Sequence, residues 1–362
     1  MNEIYKKEKI RNLFVTSLNN RVFPGAAYAF SKWEQGRYKR ESNIYGYAEL
    51  YPKKRELKRD TVFDLASLTK ALTTVPLLLI LLDKKQITIK TELRDIYNSC
   101  PPDKAHITIA QLLSHQSGFA SHKEFFKDLI KIPFKQRKKV LLDVILEEDL
   151  IYKPGERNCY SDIGFMLLGF IIEKLTGTNL AISAKDLLYG PSGLSNDLFY
   201  PPLKLKDHLN YASTGKCPWM GKMLNGQVHD DNCRAIGGIA GHAGLFGTLH
   251  GVISMCEQFL DQWKGRGKHP EYSKEQLQRI LEPVGNSGWT MGFDMVSKSG
   301  SSSGNYFSKG SVGHLGFTGT SFWIDPFQEY IVVLLTNRVH PSRENWKIKA
   351  FRPVFHDLLM RG

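Results

Sequence analysis

Runs rich in β-branched and aromatic residues lie near both ends of this 362-residue chain, and apolar helical patterns fill the part between them. Residues 25–50 contain two β-rich runs around a polar centre with Gly36, which is typical of a hairpin. Near the other end, "GHLGFTGTSFWIDP" and "EYIVVLLTNR" predict two strands joined at Pro326. Because neighbouring strands must lie side by side, this distribution predicts one antiparallel sheet built from both ends of the chain.

The helical patterns predict the rest of an α+β fold. Apolar residues at helical spacing indicate helices at residues 2–19 and 343–360, which would flank the sheet. The middle of the chain predicts a mainly helical lobe with helices at Ala66 to Leu82, Ile109 to Ser114, Phe134 to Leu146, Asp162 to Thr176 and Leu249 to Trp263.

The predicted organisation is one domain, residues 1–362, with two lobes. An α/β lobe would comprise about residues 1–65 and 281–362, and the helical lobe about residues 66–280. No linker, repeat or low-complexity tract divides the chain. A cleft between such lobes is a natural substrate site.

Charge and apolar patterning limit the partners of the chain. The formal charge is +13, but the basic residues are spread along stretches such as "YKKEKIR" and "KQRKK", outside any nucleic-acid motif, so they predict solvated surface and no nucleic-acid binding. The longest apolar run, Val75 to Leu82, is too short to span a bilayer. The charged first turns resemble no signal peptide, and the five cysteines lack a CxxC pair, so we expect a cytoplasmic protein with free thiols.

The stretch "SLTK" places Ser67 and Lys70 three residues apart at the entrance of an apolar helix. Positions three apart lie on one helix face, so Lys70 would reach the hydroxyl of Ser67. A serine hydroxyl is a weak nucleophile until a base takes its proton, and a lysine can be that base. The first helical turn also presents unpaired backbone N–H groups to whatever the serine attacks. The alternative is a capping serine with a surface lysine, and the same spacing recurs at Ser213 and Lys216.

Two further stretches carry candidate groups. In "NCYSDIGF", Tyr160 would direct a phenol into the cleft, although Ser161 or Asp162 could serve only to cap the following helix. In "GHLGFTG", His314 and Gly316 begin a strand, and glycine allows a substrate to lie against the backbone. The N–H group of Phe317 would then join that of Ser67 as an oxyanion hole, unless the stretch is only a β-bulge with an incidental histidine.

In their order and spacing, "SLTK", "YSD" and "HLG" resemble the motifs of the penicillin-recognising serine hydrolases, which include serine β-lactamases, DD-peptidases and related esterases. The resemblance is to the class C-like branch, in which the middle motif begins with tyrosine. It extends over nearly the whole chain, through "ITIAQLLSHQSGF", "VHDDNCRAIGGIAGHAGLFGT" and "WIDPFQEYIVVLLTNRVHP".

The resemblance implies a role for each matching residue. It implies that Ser67 is the nucleophile, Lys70 the helper base and Tyr160 the proton relay and leaving-group acid. It also implies that His314 is the third-motif residue. The implied oxyanion donors are the N–H groups of Ser67 and Phe317, with Gly316 between His314 and Phe317. The implied fold is an antiparallel sheet flanked by terminal helices, with a helical lobe beside it and the site between them.

The chain departs from the family pattern at two positions. Asp162 stands where many relatives have asparagine, and a carboxylate close to Lys70 would favour the charged, less basic lysine. His314 replaces the usual lysine of the third motif, so a fixed positive charge gives way to a group that is largely neutral near pH 7. The binding of a substrate carboxylate at this position should therefore be weaker than with lysine.

From these residues we expect a serine hydrolase that acts through an acyl-enzyme on small esters or amides, with an esterase-like preference. The same residues also suit a DD-peptidase or β-lactamase, and a binding module that kept the cleft is a further alternative. The expected partner is a small molecule or short peptide; the oligomeric state is left open. No cofactor or metal is expected, because His229, Asp230, Asp231 and His242 lack the spacing of a known metal motif.

Overall fold

The computed structural model describes residues 3–201, 209–267, 272–285, 287–297 and 299–361. Within these ranges the strands are β1 (Gly25–Glu34), β2 (Arg37–Glu49), β3 (Arg55–Glu56), β4 (Phe63–Asp64), β5 (Leu198–Phe199), β6 (Phe246–Gly247), β7 (Asp294–Met295), β8 (Val312–Leu315), β9 (Ser321–Asp325) and β10 (Tyr330–Thr336). Seven of them form one sheet in the order β3-β2-β1-β10-β9-β8-β7. All its neighbours pair antiparallel, so the predicted sheet from both chain ends is confirmed.

The described helices are α1 (Glu3–Asn19), α2 (Val75–Asp83), α3 (Leu93–Ile96), α4 (Ile109–Leu113), α5 (Phe126–Leu129), α6 (Phe134–Glu147), α7 (Asp162–Thr176), α8 (Leu180–Ala184), α9 (Asp231–Ala235), α10 (Leu249–Lys264), α11 (Lys274–Leu281) and α12 (Ile348–Met360). Two π-helical turns, Lys70–Thr74 and Lys185–Tyr189, precede α2 and follow α8. Most of the described helices lie in the middle of the chain, as the predicted α+β fold requires.

The large sheet is covered on both faces because its central strands alternate. Ala27 and Ala29 of β1 belong to the main core, which includes α2, α7 and α10. Ala26 and Tyr28 of the same strand belong to a second core that α1 and α12 complete. Successive side chains on a strand point to opposite faces, so this small-residue strand can be buried on both sides.

The structure corrects two details of the predicted elements. The stretch "GHLGFTGTSFWIDP" forms two strands, β8 and β9, with a tight turn at residues 316–320 between them. The predicted helix at 343–360 begins only at Ile348, because Arg338 holds the preceding segment as a loop by donating to the carbonyls of Arg343 and Asn345.

A further small sheet, in the order β4-β6-β5, lies outside the large sheet and was absent from the prediction. Its first strand leads directly into the Ser67 turn. In the described part of the chain no single helix meets the length and hydropathy of a membrane span, and only the bent pair Asp162–Thr176 and Leu180–Tyr189 meets them jointly.

Candidate active site

Ser67 lies in a tight turn just before the π-helical turn that contains Lys70. The preceding residue, Ala66, has φ 49°, a left-handed conformation that is unusual for a residue other than glycine. Asp64 stabilises the turn, since one carboxylate oxygen accepts a hydrogen bond from Ala66 N at 2.9 Å and the other from His229 N at 2.7 Å. A buried side chain therefore fixes the backbone that carries the serine.

Lys70 is completely buried, and its ammonium group donates three hydrogen bonds. The acceptors are Ser67 Oγ at 3.0 Å, Asp162 Oδ1 at 2.7 Å and the carbonyl oxygen of His242 at 3.1 Å. Burial is the largest single effect and favours the neutral amine, but Asp162 and then Tyr160 together outweigh it, so the pKa of Lys70 is raised. The predicted contact between Lys70 and Ser67 is present, and the resting lysine carries a proton.

Asp162 is the first residue of α7, and the position places its carboxylate against both Lys70 and the open cavity. Burial would favour the protonated carboxyl, but Lys70 and then His122 hold the pKa of Asp162 well below its usual range. His122 Nδ1 lies 3.7 Å from Asp162 Oδ2. Asp162 thus does more than begin a helix, because its carboxylate has ionic contacts with Lys70 on one side and with His122 on the other.

Tyr160 contacts Ser67 and Lys70 through its hydroxyl group, and the Lys70 ammonium lies 5.0 Å from the centre of its ring. Its ring packs against His115 at 4.7 Å, Trp289 at 5.6 Å and His314 at 6.2 Å between centroids. Burial raises the pKa of Tyr160, so the phenol holds its proton at neutral pH. The aromatic surroundings fix the phenol where it faces the serine.

His314 lies on β8 and borders the same cavity. Its Nδ1 donates to the carbonyl of Leu315 at 3.0 Å, while Nε2 has no hydrogen-bond partner among the described residues. Burial, followed by the nearby charge of Lys70, lowers the pKa of His314 to about 3. The third-motif position therefore carries an uncharged imidazole whose Nε2 lone pair accepts no hydrogen bond from the described residues.

Gly316 and Phe317 lie in the turn after β8, directly against the Ser67 turn. Thr318 donates to the carbonyl of Asp64 at 2.7 Å and Thr320 to that of Leu65 at 3.1 Å, which ties the two turns together. In the described part of the chain, the N–H groups of Ser67 and Phe317 have no hydrogen-bond acceptor. Two unpaired backbone donors in adjoining turns are what an oxyanion hole requires.

The cavity that contains these groups has a volume of ≈ 600 Å³. Most of its carboxylates come from the helical lobe and one comes from β7, whereas the loop before α12 and the start of that helix contribute cations. The acidic residues are Glu124, Asp162, Asp230, Asp231 and Asp294, and the cationic residues are Arg338, Arg343, Lys349 and Arg352. Among them, Arg343 pairs with Asp231 at 3.0 Å.

Sequence reasoning missed several residues of this cavity, above all His122, Trp289 and the cations of residues 338–352. His122, Trp289, Arg338 and Arg343 lie in loops with no periodic pattern, whereas Lys349 and Arg352 lie in the first turns of α12. The one signal that could have indicated His122 is its position in the polar run "SHKE", four residues after Gly118, which ends the stretch "HQSG".

The histidines and carboxylates that invited a metal interpretation are used differently. His242 Nε2 is 2.9 Å from Asp230 Oδ1, and Asp230 also caps α9 through Cys233 N. Across the described ranges no three His, Cys, Asp or Glu side chains converge in a way that would hold a metal ion.

The fold and the site define the class of this protein. The family model described as Beta-lactamase matches residues 10–351. The chain therefore belongs to the β-lactamase family, as the sequence motifs indicated.

Individual relatives have different names. An N-acetylmuramyl-L-alanine amidase of Bacillus subtilis (strain 168) is 28% identical over 362 residues, covering 91% of this chain and 77% of that protein. A putative D-alanyl-D-alanine carboxypeptidase of Salmonella agona (strain SL483) is 28% identical over 347 residues, covering 84% and 77%. The structure of EstCE1, a hydrolase with promiscuous acyltransferase activity, superposes with a TM-score of 0.74 at 18% identity, covering 96% of this chain and 98% of that one.

Proposed function

We propose that this protein is a serine hydrolase that cleaves small, uncharged esters or amides through an acyl-enzyme. The observation that carries the proposal is the position of Lys70, whose nitrogen is 3.0 Å from Ser67 Oγ and completely buried. A buried lysine that contacts a serine beside two unpaired N–H groups has the parts of an acyl-transfer site.

The proposed reaction has two halves. In the first, Ser67 Oγ bonds to the substrate carbonyl carbon while its proton passes to the neutral form of Lys70. The N–H groups of Ser67 and Phe317 stabilise the oxyanion. Tyr160 gives its proton to the leaving oxygen or nitrogen as that bond breaks, and Lys70 returns a proton to Tyr160. In the second half, water attacks the acyl carbon and the carboxylic acid leaves, which restores the Ser67 hydroxyl.

The preference for uncharged substrates is argued from His314. A lysine in this position would present a permanent charge to a substrate carboxylate, whereas the His314 ring is buried and has a pKa lowered to about 3. Its unpaired Nε2 can accept a hydrogen bond from a substrate N–H but cannot neutralise an anion. The function that follows is esterase-like.

A second candidate is a DD-peptidase or β-lactamase, whose substrates carry a carboxylate. Arg338, Arg343 and Lys349 support it, because they border the same cavity. The names of the amidase and carboxypeptidase relatives also favour a peptide substrate. Comparing p-nitrophenyl acetate with a D-Ala-D-Ala peptide separates the two: faster turnover of the peptide would replace the esterase assignment.

Intact-mass spectrometry after treatment with a fluorophosphonate and, separately, with a penicillin tests the mechanism. We expect one adduct from the fluorophosphonate, located on Ser67 and absent from the Ser67→Ala variant. Ser213→Ala is the matched control, since Ser213 repeats the spacing but its hydroxyl is bound to Glu49 Oε1 at 2.6 Å. An adduct that persists in Ser67→Ala contradicts the mechanism. If the protein is folded but gains no fluorophosphonate adduct, the alternative of a binding module is favoured.

A further inference from the structure

We infer that His122 is a positioning residue that sets the basicity of Lys70 through the carboxylate of Asp162. The inference rests on the proposed function, in which neutral Lys70 takes the serine proton. It concerns a side chain that no sequence motif singled out.

His122, Asp162, Lys70 and Ser67 form a chain of successive contacts. His122 Nδ1 lies 3.7 Å from Asp162 Oδ2, the other oxygen of that carboxylate lies 2.7 Å from Lys70 Nζ, and Lys70 Nζ lies 3.0 Å from Ser67 Oγ. The two oxygens of Asp162 therefore face different cations. Any charge on His122 acts on Lys70 across a single carboxylate group.

The two cations differ in their access to water. The Lys70 side chain is 0% exposed, whereas that of His122 is 44% exposed and borders the cavity. Lys70 cannot exchange protons directly with bulk water, but His122 can. His122, the solvent-exposed member of this chain of contacts, is therefore the group that responds to the pH of the solution.

The surroundings of His122 favour its charged form. The contact with Asp162 is the main cause of its raised pKa, and Asp230 and Glu124 add negative charge nearby. On the other side, Lys70 and His242 also face Asp162. The pKa of the His122 imidazole is therefore raised above the ordinary histidine value of about 6.5.

The consequence for Lys70 has a definite sign. Protonated His122 offsets part of the Asp162 charge, which lowers the pKa of Lys70 and increases the fraction of neutral amine. When pH rises through the pKa of His122, the offset is lost and the pKa of Lys70 rises. The plot of log kcat/KM against pH should therefore climb, flatten around the pKa of His122 and climb again, as coupled titrations do.

His122→Gln tests this through the pH profile. Glutamine cannot be charged, so the variant should behave as the wild type with neutral His122. We expect kcat/KM to be about three- to ten-fold lower than wild type near pH ~5.5 and equal near pH ~9, which corresponds to about half to one pK unit of coupling. A merely structural role would lower the rate by one factor at all pH values, and that result would overturn the inference.

A double-variant cycle isolates the path through Asp162. In an Asp162→Asn background there is no carboxylate charge for His122 to offset. His122→Gln should then change neither kcat/KM nor the shape of its pH profile. His106→Gln is the matched control, because His106 forms a comparable contact with Glu92 at 3.3 Å outside the cavity. An equal effect of His122→Gln in both backgrounds would rule out the carboxylate as mediator.

Histidine NMR provides a readout that does not depend on catalysis. The Cε1–H resonance of His122, assigned by its loss in His122→Gln, should show a raised pKa that falls by about half a unit or more in Asp162→Asn. An unchanged His122 pKa would refute the ion pair. If the pair is observed but no serine adduct forms, the proposed function fails and the ion pair stands. If Asp162→Asn does not fold, the pH profile of His122→Gln alone decides.

Discussion

The Lys70 ammonium and the Asp162 carboxylate form an ion pair at 2.7 Å in which the lysine is completely buried. Removing one partner of such a pair leaves a buried group without compensation. Asp162→Asn should therefore lower the pKa of Lys70 and reduce the free energy of unfolding at pH ~7 by up to about 3–5 kcal/mol, with part of the cost relieved when the lysine deprotonates.

The same pair should make the wild type sensitive to acid. The pKa of Asp162 is depressed in the folded state, so its contribution is present above the unfolded-state value of about 3.9 and is lost as pH falls below it. Urea unfolding of both proteins from pH ~3 to ~7 measures this. A stability difference that does not shrink on acidification would contradict the assignment.

Tyr160→Phe should slow acylation by about 10² or more, because the variant keeps the aromatic packing and loses only the proton donor. Stopped-flow measurement of p-nitrophenol release checks this. Tyr189→Phe is the matched control: Tyr189 is also buried, but its hydroxyl contacts Thr73 and the carbonyl of Leu72. Equal rates for Tyr160→Phe and the wild type would remove the phenol from the proton route.

His314→Lys should shift the substrate preference towards carboxylates. A charged hydrogen bond to a substrate carboxylate is worth roughly 1.5–3 kcal/mol, so the ratio of kcat/KM for a D-Ala-D-Ala peptide over p-nitrophenyl acetate should rise about ten- to a hundred-fold. His314→Gln, which is uncharged, should leave the ratio near the wild-type value. If the wild type already prefers the peptide, the cations of residues 338–352 supply the carboxylate contact instead.

Gly316→Ala should disable the proposed oxyanion hole. A Cβ at this position would lie 2.0 Å from Thr320 Oγ1 and 2.7 Å from the carbonyl oxygen of Leu65, so the two turns that carry the N–H donors must separate. Loss of one donor typically costs about 10²–10³ in kcat. Gly164→Ala is the control, since its Cβ would meet nothing closer than 3.6 Å. A Gly316→Ala variant with wild-type kcat would show that the donors lie elsewhere.

Asp64→Asn should loosen the Ser67 turn, because an amide oxygen can accept from Ala66 N or His229 N but its NH₂ group cannot serve the other. The unpaired N–H costs about 1–3 kcal/mol. Burial raises the pKa of Asp64 to about 6. The folded state thus binds the proton more tightly than the unfolded chain, whose value is about 3.9, so the Asp64 contribution to stability falls as pH rises between these values.

Urea unfolding at pH ~4.5 and ~7 tests the sign of this effect. The stability advantage of the wild type over Asp64→Asn should be about 2 kcal/mol larger at the lower pH. Asp60→Asn, at an exposed position in the same segment, should show no such trend. An advantage that grows with pH would mean that Asp64 is ionised throughout.

Much of this architecture was predictable because local patterns and tertiary packing agree. Asp162–Thr176 forms the predicted helix at both ends, since Ser161 caps its start and Gly177 adopts the left-handed conformation that closes it. The contact of Ser67 with Lys70 followed from helical spacing. Where the turn at residues 316–320 interrupts an apolar stretch, the sequence predicted a single strand, whereas the structure has two, β8 and β9.

The parts that escaped prediction depend on contacts between distant segments. Asp162 N donates to the carbonyl of Ser121 at 2.9 Å, which brings the neighbouring His122 beside Asp162, and no spacing rule encodes this contact. The left-handed Ala66 is forced by Asp64 and the neighbouring strands, against its own preference. The charge state of Lys70 likewise depends on a carboxylate 92 residues away in the chain.

The pairing of β1 with β10 has a consequence for synthesis in the cell. The strand that follows the first helix finds its neighbour, Tyr330–Thr336, only near the far end of the chain. The turn that holds Phe317 against Ser67 belongs to the same late segment. While the ribosome is still translating those residues, the nascent polypeptide has Ser67 and Lys70 but lacks the second N–H group of the proposed oxyanion hole. Under the proposed function, hydrolysis would therefore begin only after the segment up to Thr336 has left the exit tunnel and paired with β1.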